Sequence, residues 1–261
     1  MRYSSATLPN EVIVFLRNGF GLLFLLPWLL KNGLENLATR RLPEQVFRAF
    51  SGLAAMYCFF HAIAHLQLAE AVLLNFSAPL FIPLIALVWL GESSPSRVVF
   101  AIIIGFIGVC LILKPGTMLL KPAAFVGLAS AIFAALAMVT IRRLSATEPI
   151  IRIVFYFSFV ATLVSAIPMI WKWQSPTWDA LIVMALAGFA ATVGQLLLTF
   201  SYSQAPASQI GPYTYSTVIF AALLGWLFWA EAPDVLTITG AILIGSAGIL
   251  AMQKKAAPRL E

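Results

Sequence analysis

Nine apolar runs, each near the ~20 residues that a helix needs to cross a bilayer, follow one another along this chain and leave it few ways to fold. They lie at Glu11–Leu30, Arg48–Leu66, Ala69–Leu90, Arg97–Leu113, Pro122–Ile141, Ile150–Trp171, Trp178–Phe200, Pro206–Trp229 and Leu236–Met252. The connections are short and carry turn residues or charges, as at Gly91-Glu92-Ser93-Ser94-Pro95 and Glu231-Ala232-Pro233-Asp234. Only residues 32–47 leave room for a loop of any size, and no linker marks a separate globular module. Of the 261 residues 61% are hydrophobic and 10% charged, against about 25% charged in an ordinary soluble domain, and the mean hydropathy is +0.96. The reading is an all-α, polytopic membrane protein whose first partner is the lipid bilayer.

The net charge of +6 would suggest nucleic acid in a soluble protein. Here the Lys and Arg sit mostly at the ends of apolar runs, where they set topology, and no nucleic-acid partner is expected. One side of the membrane carries Arg2, Lys114, Lys121 and Lys172; the other carries Lys31, Arg40, Arg41, Arg48, Arg97, Arg142, Arg143, Arg152, Lys254, Lys255 and Arg259. The richer side is expected to be cytoplasmic, which puts the C-terminus inside and residue 1 outside. The first apolar run starts after Glu11 without the basic region and short apolar core of a cleavable signal peptide. Cys58 and Cys110 lie inside apolar runs and read as small buried hydrophobes, with no disulfide, metal or redox role.

A duplication organises the runs. Leu68–Glu92 reads LAEAVLLNFSAPLFIPLIALVWLGE, and Pro206–Glu231 reads PASQIGPYTYSTVIFAALLGWLFWAE. Gly105-x-x-Gly108 follows the first copy as Gly245-x-x-Gly248 follows the second. The interval is 139 residues from Glu92 to Glu231 and 140 from Gly105 to Gly245. It holds five predicted helices, an odd number, so the copies must cross the membrane in opposite senses. The same offset of 140 relates Ser5-Ala6-Thr7-Leu8-Pro9 with Val14-Phe15 to Ser145-Ala146-Thr147-Glu148-Pro149 with Val154-Phe155. Pro122–Ile141 then has no counterpart in the first half. The expectation is nine transmembrane helices from an inverted 5+5 repeat whose first helix is absent. Residues 1–116 would be the first repeat, with four helices and truncated at its N-terminus, and residues 117–261 the second, with five. Inverted repeats provide two related half-cavities that open to opposite sides, a transporter design.

The Arg17 helix (VIVFLRNGFGLLFLLP), the join Ala62–Ala71 (AIAHLQLAEA), the Pro79-to-Glu92 run ending LGE, Gly105-x-x-Gly108-Val109 with the later Lys114-Pro115-Gly116, and the second copy with Ala230-Glu231 form one pattern. In these residues the chain resembles the drug/metabolite transporter superfamily, in its EamA-like branch of ten-helix carriers. The resemblance implies a carrier in the bacterial inner membrane for a small organic metabolite, bound between the repeats. Its first half is most similar to members that move bulky zwitterionic or aromatic metabolites, such as S-adenosylmethionine or riboflavin.

Arg17 lies about six residues into the first run, roughly 9 Å below its edge at 1.5 Å per residue. A charge there is costly, so it is expected either to clamp an anionic or carboxylate group, or to snorkel to the interface or pair with Glu11 or Glu70 and only hold helices together. Tyr57, His61 and His65, at i, i+4 and i+8, give one helix a polar face. Two histidines at i, i+4 can bind zinc, but no cysteine or deep carboxylate is near in sequence and no metal is expected; lining of a wet cavity and packed histidines are the readings left. In the second half Thr192, Gln195, Thr199 and Tyr202 form another polar stripe. Thr199 is the repeat partner of His61, and Thr214 of Asn75, so Arg17, His61 and Asn75 are expected toward the outside and Gln195, Thr199 and Tyr213 toward the inside. The substrate-binding candidates are thus Arg17, Tyr57, His61, Asn75, Gln195, Thr199 and Tyr213, with His65 and Glu70 as candidates for coupling. Pro79, Pro83 and Pro212 are expected to interrupt the repeated helices. Ala101-x-x-x-Gly105 and Ala241-x-x-x-Gly245 are expected to make close helix contacts.

The acidic residues all lie at or near helix ends or in loops, which argues against a mid-membrane carboxylate as proton relay. These features point to a secondary transporter without a cofactor, working by alternating access on a solute such as an S-adenosylmethionine-, vitamin- or amino-acid-like molecule. The alternatives are an exporter of drugs or metabolites, or a non-transporting membrane subunit. An integral-membrane enzyme would need a cluster of acidic, His or Ser residues at the membrane face, and the chain has none in sequence.

Overall fold

The computed structural model describes residues 8–33, 37–66, 68–113, 122–229 and 234–252. Parts of the expectations above lie outside them: Arg2 and Ser5 to Thr7, Lys114-Pro115-Gly116, Lys121, Ala230-Glu231, and the basic residues after Met252. The described residues are helical: α1 (Asn10–Asn32), α2 (Leu42–His65), α3 (Leu68–Asn75), α4 (Ala78–Leu90), α5 (Ser96–Leu113), α6 (Pro122–Leu144), α7 (Ile150–Trp171), α8 (Trp178–Gln204), α9 (Ala207–Ile210), a 3-10 turn (Gly211–Tyr215), α10 (Ser216–Trp229) and α11 (Val235–Met252). Among the described residues seven apolar stretches are long enough to cross a membrane by length and composition, and Val235–Ala251 is a shorter apolar helix. Large apolar side chains such as Leu84, Val88, Phe100 and Leu227 stand exposed, as the lipid-facing surface of a membrane protein does.

The largest differences from the sequence reading are three, each with a local reason; α6 and α8 also run three and four residues longer, to Leu144 and Gln204. The second helix begins at Leu42, six residues before Arg48, because Pro43 suits a first helical turn and Glu44 favours the positive helix start. The third run is two helices. Ser77 ends the first by donating its hydroxyl to the Leu74 carbonyl (2.5 Å), and Pro79, which has no N–H to give, stands in the first turn of the second. The eighth run is broken by Gly211-Pro212 into α9, the 3-10 turn and α10. Pro83 remains inside α4 without ending it. Gly91 closes α4 in the left-handed conformation, φ 67°, with its N–H on Leu87 and that of Glu92 on Ala86 (both 3.2 Å).

The chain packs as two compact units, residues 1–53 with 140–204, and residues 54–139 with 205–261. Each draws on both sequence halves. In the first unit α1 packs on α7 and α8, with Val12, Ile13 and Met184 at its core. The α1–α8 crossing runs through glycines: a Cβ on Gly188 would lie 2.8 Å from the Arg17 carbonyl oxygen and 3.0 Å from the Gly21 nitrogen. Beside it, the segment before α2 is held by Tyr156 Oη donating to the Leu37 carbonyl (2.9 Å) and Thr39 donating to Glu148 (2.7 Å). Arg142 donates to the carbonyls of Tyr202 and Ser203, which closes the C-terminal end of α8.

In the second unit the most extensive helix packing is α5 on α11. There a Cβ on Gly108 would lie 2.7 Å from the Gly240 carbonyl oxygen, and one on Gly240 2.5 Å from that of Gly108. Gly105 instead receives the ring of the fully buried Tyr215. Gly245, expected at a contact, faces open space: the face of α11 that meets α5 runs through Gly240, Ile244, Ala247 and Ala251, and Gly245 lies off it. The two broken stretches touch each other, with Gly211 against Pro79. Glu92 accepts the Ala207 N–H (3.1 Å) at the start of α9.

Candidate functional site

The first unit contains a small polar cavity of about 30 Å³, lined among others by Arg17, Asn18, Phe157, Ser158, Thr192 and Gln195. By volume it holds about two waters. Its walls follow from the glycine crossing. Contact of α1 and α8 at Gly21 and Gly188 leaves Asn18 and Gln195, one turn or two away, facing the same space, and Thr192 ties the helices by donating to the Gly21 carbonyl (3.2 Å). Arg17 donates to the Asn18 side-chain oxygen (3.0 Å).

Arg48 of α2 touches two of the lining residues. Its Nη2 donates to Gln195 Oε1 (2.8 Å) and its guanidinium carbon lies 3.7 Å from the centre of the Phe157 ring. It is 3% exposed. Its Nε and Nη1, both amide atoms of Gln45, Asn18 Nδ2 and Thr199 Oγ1 are buried without hydrogen-bond partners. A buried polar atom left unpaired costs about 1–3 kcal/mol. Among the described residues no carboxylate lies within ion-pair distance of Arg48. Glu44, one turn away on the same helix, is engaged by Arg41 (3.0 Å) and Arg143 (3.3 Å), and Glu148 by Arg152 (2.6 Å). The cluster is therefore rich in donors and suited to an acceptor with negative charge.

The structure distributes the residues expected from sequence over both units. Arg17 and Gln195, assigned to opposite sides, line one cavity, because the helix crossing brings together positions that depth along each helix separates. Thr199 is fully buried one turn from Gln195. In the second unit Asn75 donates to Ser130 (3.2 Å) and Tyr213 Oη to the Gly248 carbonyl (3.3 Å). His61 and His65 stack at 4.2 Å on an exposed face that also carries Tyr57, with His65 Nδ1 2.9 Å from the His61 carbonyl oxygen. Glu70 is buried. Among the described residues no three His, Cys, Asp or Glu come together as a metal would need.

Sequence reasoning missed Asn18, Gln45 and Arg48. Arg48 reads as an end-of-helix charge when the helix is started at the apolar run. The signal that moves it inward is Arg41-Leu42-Pro43-Glu44, a helix start six residues earlier, or about 9 Å.

The chain is similar to known proteins over nearly its whole length. A family model described as the EamA-like transporter family matches residues 1–114 and 121–252. A pseudopaline exporter of Pseudomonas aeruginosa is 38% identical over 250 residues, 94% of this chain and 86% of its own length. An S-adenosylmethionine uptake transporter of Rickettsia bellii is 26% identical over 243 residues, 93% of this chain and 84% of its own. A solved crystal structure shares the fold at TM-score 0.79 and 20% identity, covering 96% of this chain and 90% of the other.

Proposed function

Because the chain belongs to the EamA-like transporter family, a family of multi-pass membrane proteins, we propose that it is a secondary carrier moving a small organic metabolite across a bacterial inner membrane, with its C-terminus in the cytoplasm. The observation that carries the reading is the polar cavity with Arg17, Asn18 and Gln195 inside helices otherwise built to face lipid. Residues 1–116 and 117–261 act in this reading as two inverted repeats whose rocking exposes the solute to either side in turn. The candidate binding groups in this reading are Arg17, Tyr57, His61, Asn75, Gln195, Thr199 and Tyr213, with His65 and Glu70 serving coupling. The cytoplasmic C-terminus rests on the excess of Lys and Arg on that side.

Export is the favoured direction, since the relative at 38% identity is a named exporter; the relative at 26% is a named importer. The solute belongs to the zwitterionic metabolites, S-adenosylmethionine-like or amino-acid-like. The test is efflux from proteoliposomes of the purified full chain, preloaded with labelled amino acids, nucleosides, vitamins or S-adenosylmethionine. At least one solute should leave faster than from protein-free liposomes and saturate with concentration. If folded protein accelerates none of them, the carrier reading is wrong.

A further inference from the structure

We propose that Arg48 is the anchor for a carboxylate of the transported solute, and that Gln195 holds the place of that carboxylate while the site is empty. This rests on the carrier reading above and names the chemistry of its solute. A guanidinium presents five N–H donors in a planar fork that matches the two oxygens of a carboxylate. Arg48 uses one donor nitrogen, Nη2, on a neutral amide oxygen 2.8 Å away. Nε and Nη1 are buried and unpartnered, and no described carboxylate reaches it. A purely structural arginine in this position would be expected to have a counter-charge, as Arg41, Arg143 and Arg152 do nearby.

The surroundings fit the same occupant. Gln195 both lines the cavity and caps Arg48, so rotation of one amide side chain opens the guanidinium to whatever fills that space. Asn18 Nδ2, a further unpartnered donor, belongs to a lining residue of the same cavity. Its volume of about 30 Å³ suits the two oxygens of a carboxylate better than the four of a phosphate, given about one water-sized atom per 10–15 Å³ of such volume. The face of Phe157 at 3.7 Å fixes the guanidinium plane, and Gly52 keeps clear of it, since a Cβ there would lie 3.3 Å from Nη1.

The test is thermal unfolding of the purified full chain in detergent, titrated with S-adenosylmethionine, histidine and glutamate, each beside its carboxyl methyl ester, and with inorganic phosphate. At least one free acid should raise the melting temperature saturably, with an apparent affinity at least about tenfold above that of its ester. Arg48→Gln should lose that shift, and Arg48→Lys, which keeps the charge but not the fork, should weaken it. Gln195→Glu provides a second route that does not depend on the Arg48 variants folding. An internal carboxylate on Arg48 should raise the melting temperature of the unliganded protein and abolish the response to the free acid. The proposal is overturned if no acid shifts the wild type, if ester and acid bind alike, if phosphate alone gives the shift, or if Gln195→Glu binds the acid as the wild type does. Proteoliposome efflux of the free acid, unchanged in Arg48→Gln, would remove the anchor and leave the carrier standing.

Discussion

Replacing Gly188 by alanine adds one methyl group at the point where α8 meets α1. The new carbon would stand 2.8 Å from the Arg17 carbonyl oxygen, 2.8 Å from Phe20 Cβ and 3.0 Å from the Gly21 nitrogen. Two of these are backbone atoms, which cannot swing aside as a side-chain tip can. Restoring an ordinary separation of about 3.5 Å needs the helices to part by about 0.7 Å. The Thr192–Gly21 hydrogen bond, already 3.2 Å long, would then be stretched to about 3.9 Å and lost. Overpacking of this kind costs about 1–3 kcal/mol, and the lost bond about 0.6 kcal/mol more within a membrane. At about 2–4 °C per kcal/mol for a chain of this size, the melting temperature in detergent should fall by several degrees. Efflux should fall with it, because the same crossing faces Asn18 and Gln195 into the cavity. Gly194→Ala is the control on the same helix: nothing lies within 4 Å of its Cβ position, so it should be neutral or slightly stabilising, by up to about 1 kcal/mol from helix propensity. Equal melting temperatures for the two variants would refute the argument that close backbone approach at Gly188 builds the site.

Three further outcomes are expected. Arg17→Ala should lower transport about tenfold or more, the value of about 1.5–3 kcal/mol for one charge-assisted hydrogen bond, while the protein still reaches the membrane; normal efflux at normal expression would reduce Arg17 to a structural role. Glu92→Ala should destabilise the second unit by about 0.5–2 kcal/mol, because the N–H of Ala207 loses its acceptor at the start of α9; faster amide exchange at Ala207 would report it, and unchanged exchange would count against the cap. Gly240→Ala, whose Cβ would meet the Gly108 carbonyl at 2.5 Å, should lower the melting temperature, and Gly245→Ala should not. A reversed order would mean that the helix pair meets where the repeated glycines suggested.

Hydrophobicity is a property each residue carries wherever it stands, so the apolar runs, the short connections and the membrane as solvent could be read along the chain. So could the breaks at Pro79 and Pro212, since a proline lacks its N–H in any fold. The duplication is legible for a related reason: Leu68–Glu92 and Pro206–Glu231 repeat an order of small, polar and aromatic residues, and order is what a sequence records. What only the tertiary structure decided is which side chains meet. Arg48 and Gln195 are 147 residues apart, and neither helix alone states that they face each other. That depends on how far α1, α2, α7 and α8 are rotated and where they cross, which is set at Gly21 and Gly188 by contact between backbones. The polar stripe of α8 is legible as a stripe, but the inverted repeat places Gln195 toward the inside and Arg17 toward the outside. A helix crossing joins positions by distance in space, and a difference in depth along two helices does not keep Arg17 and Gln195 out of one cavity.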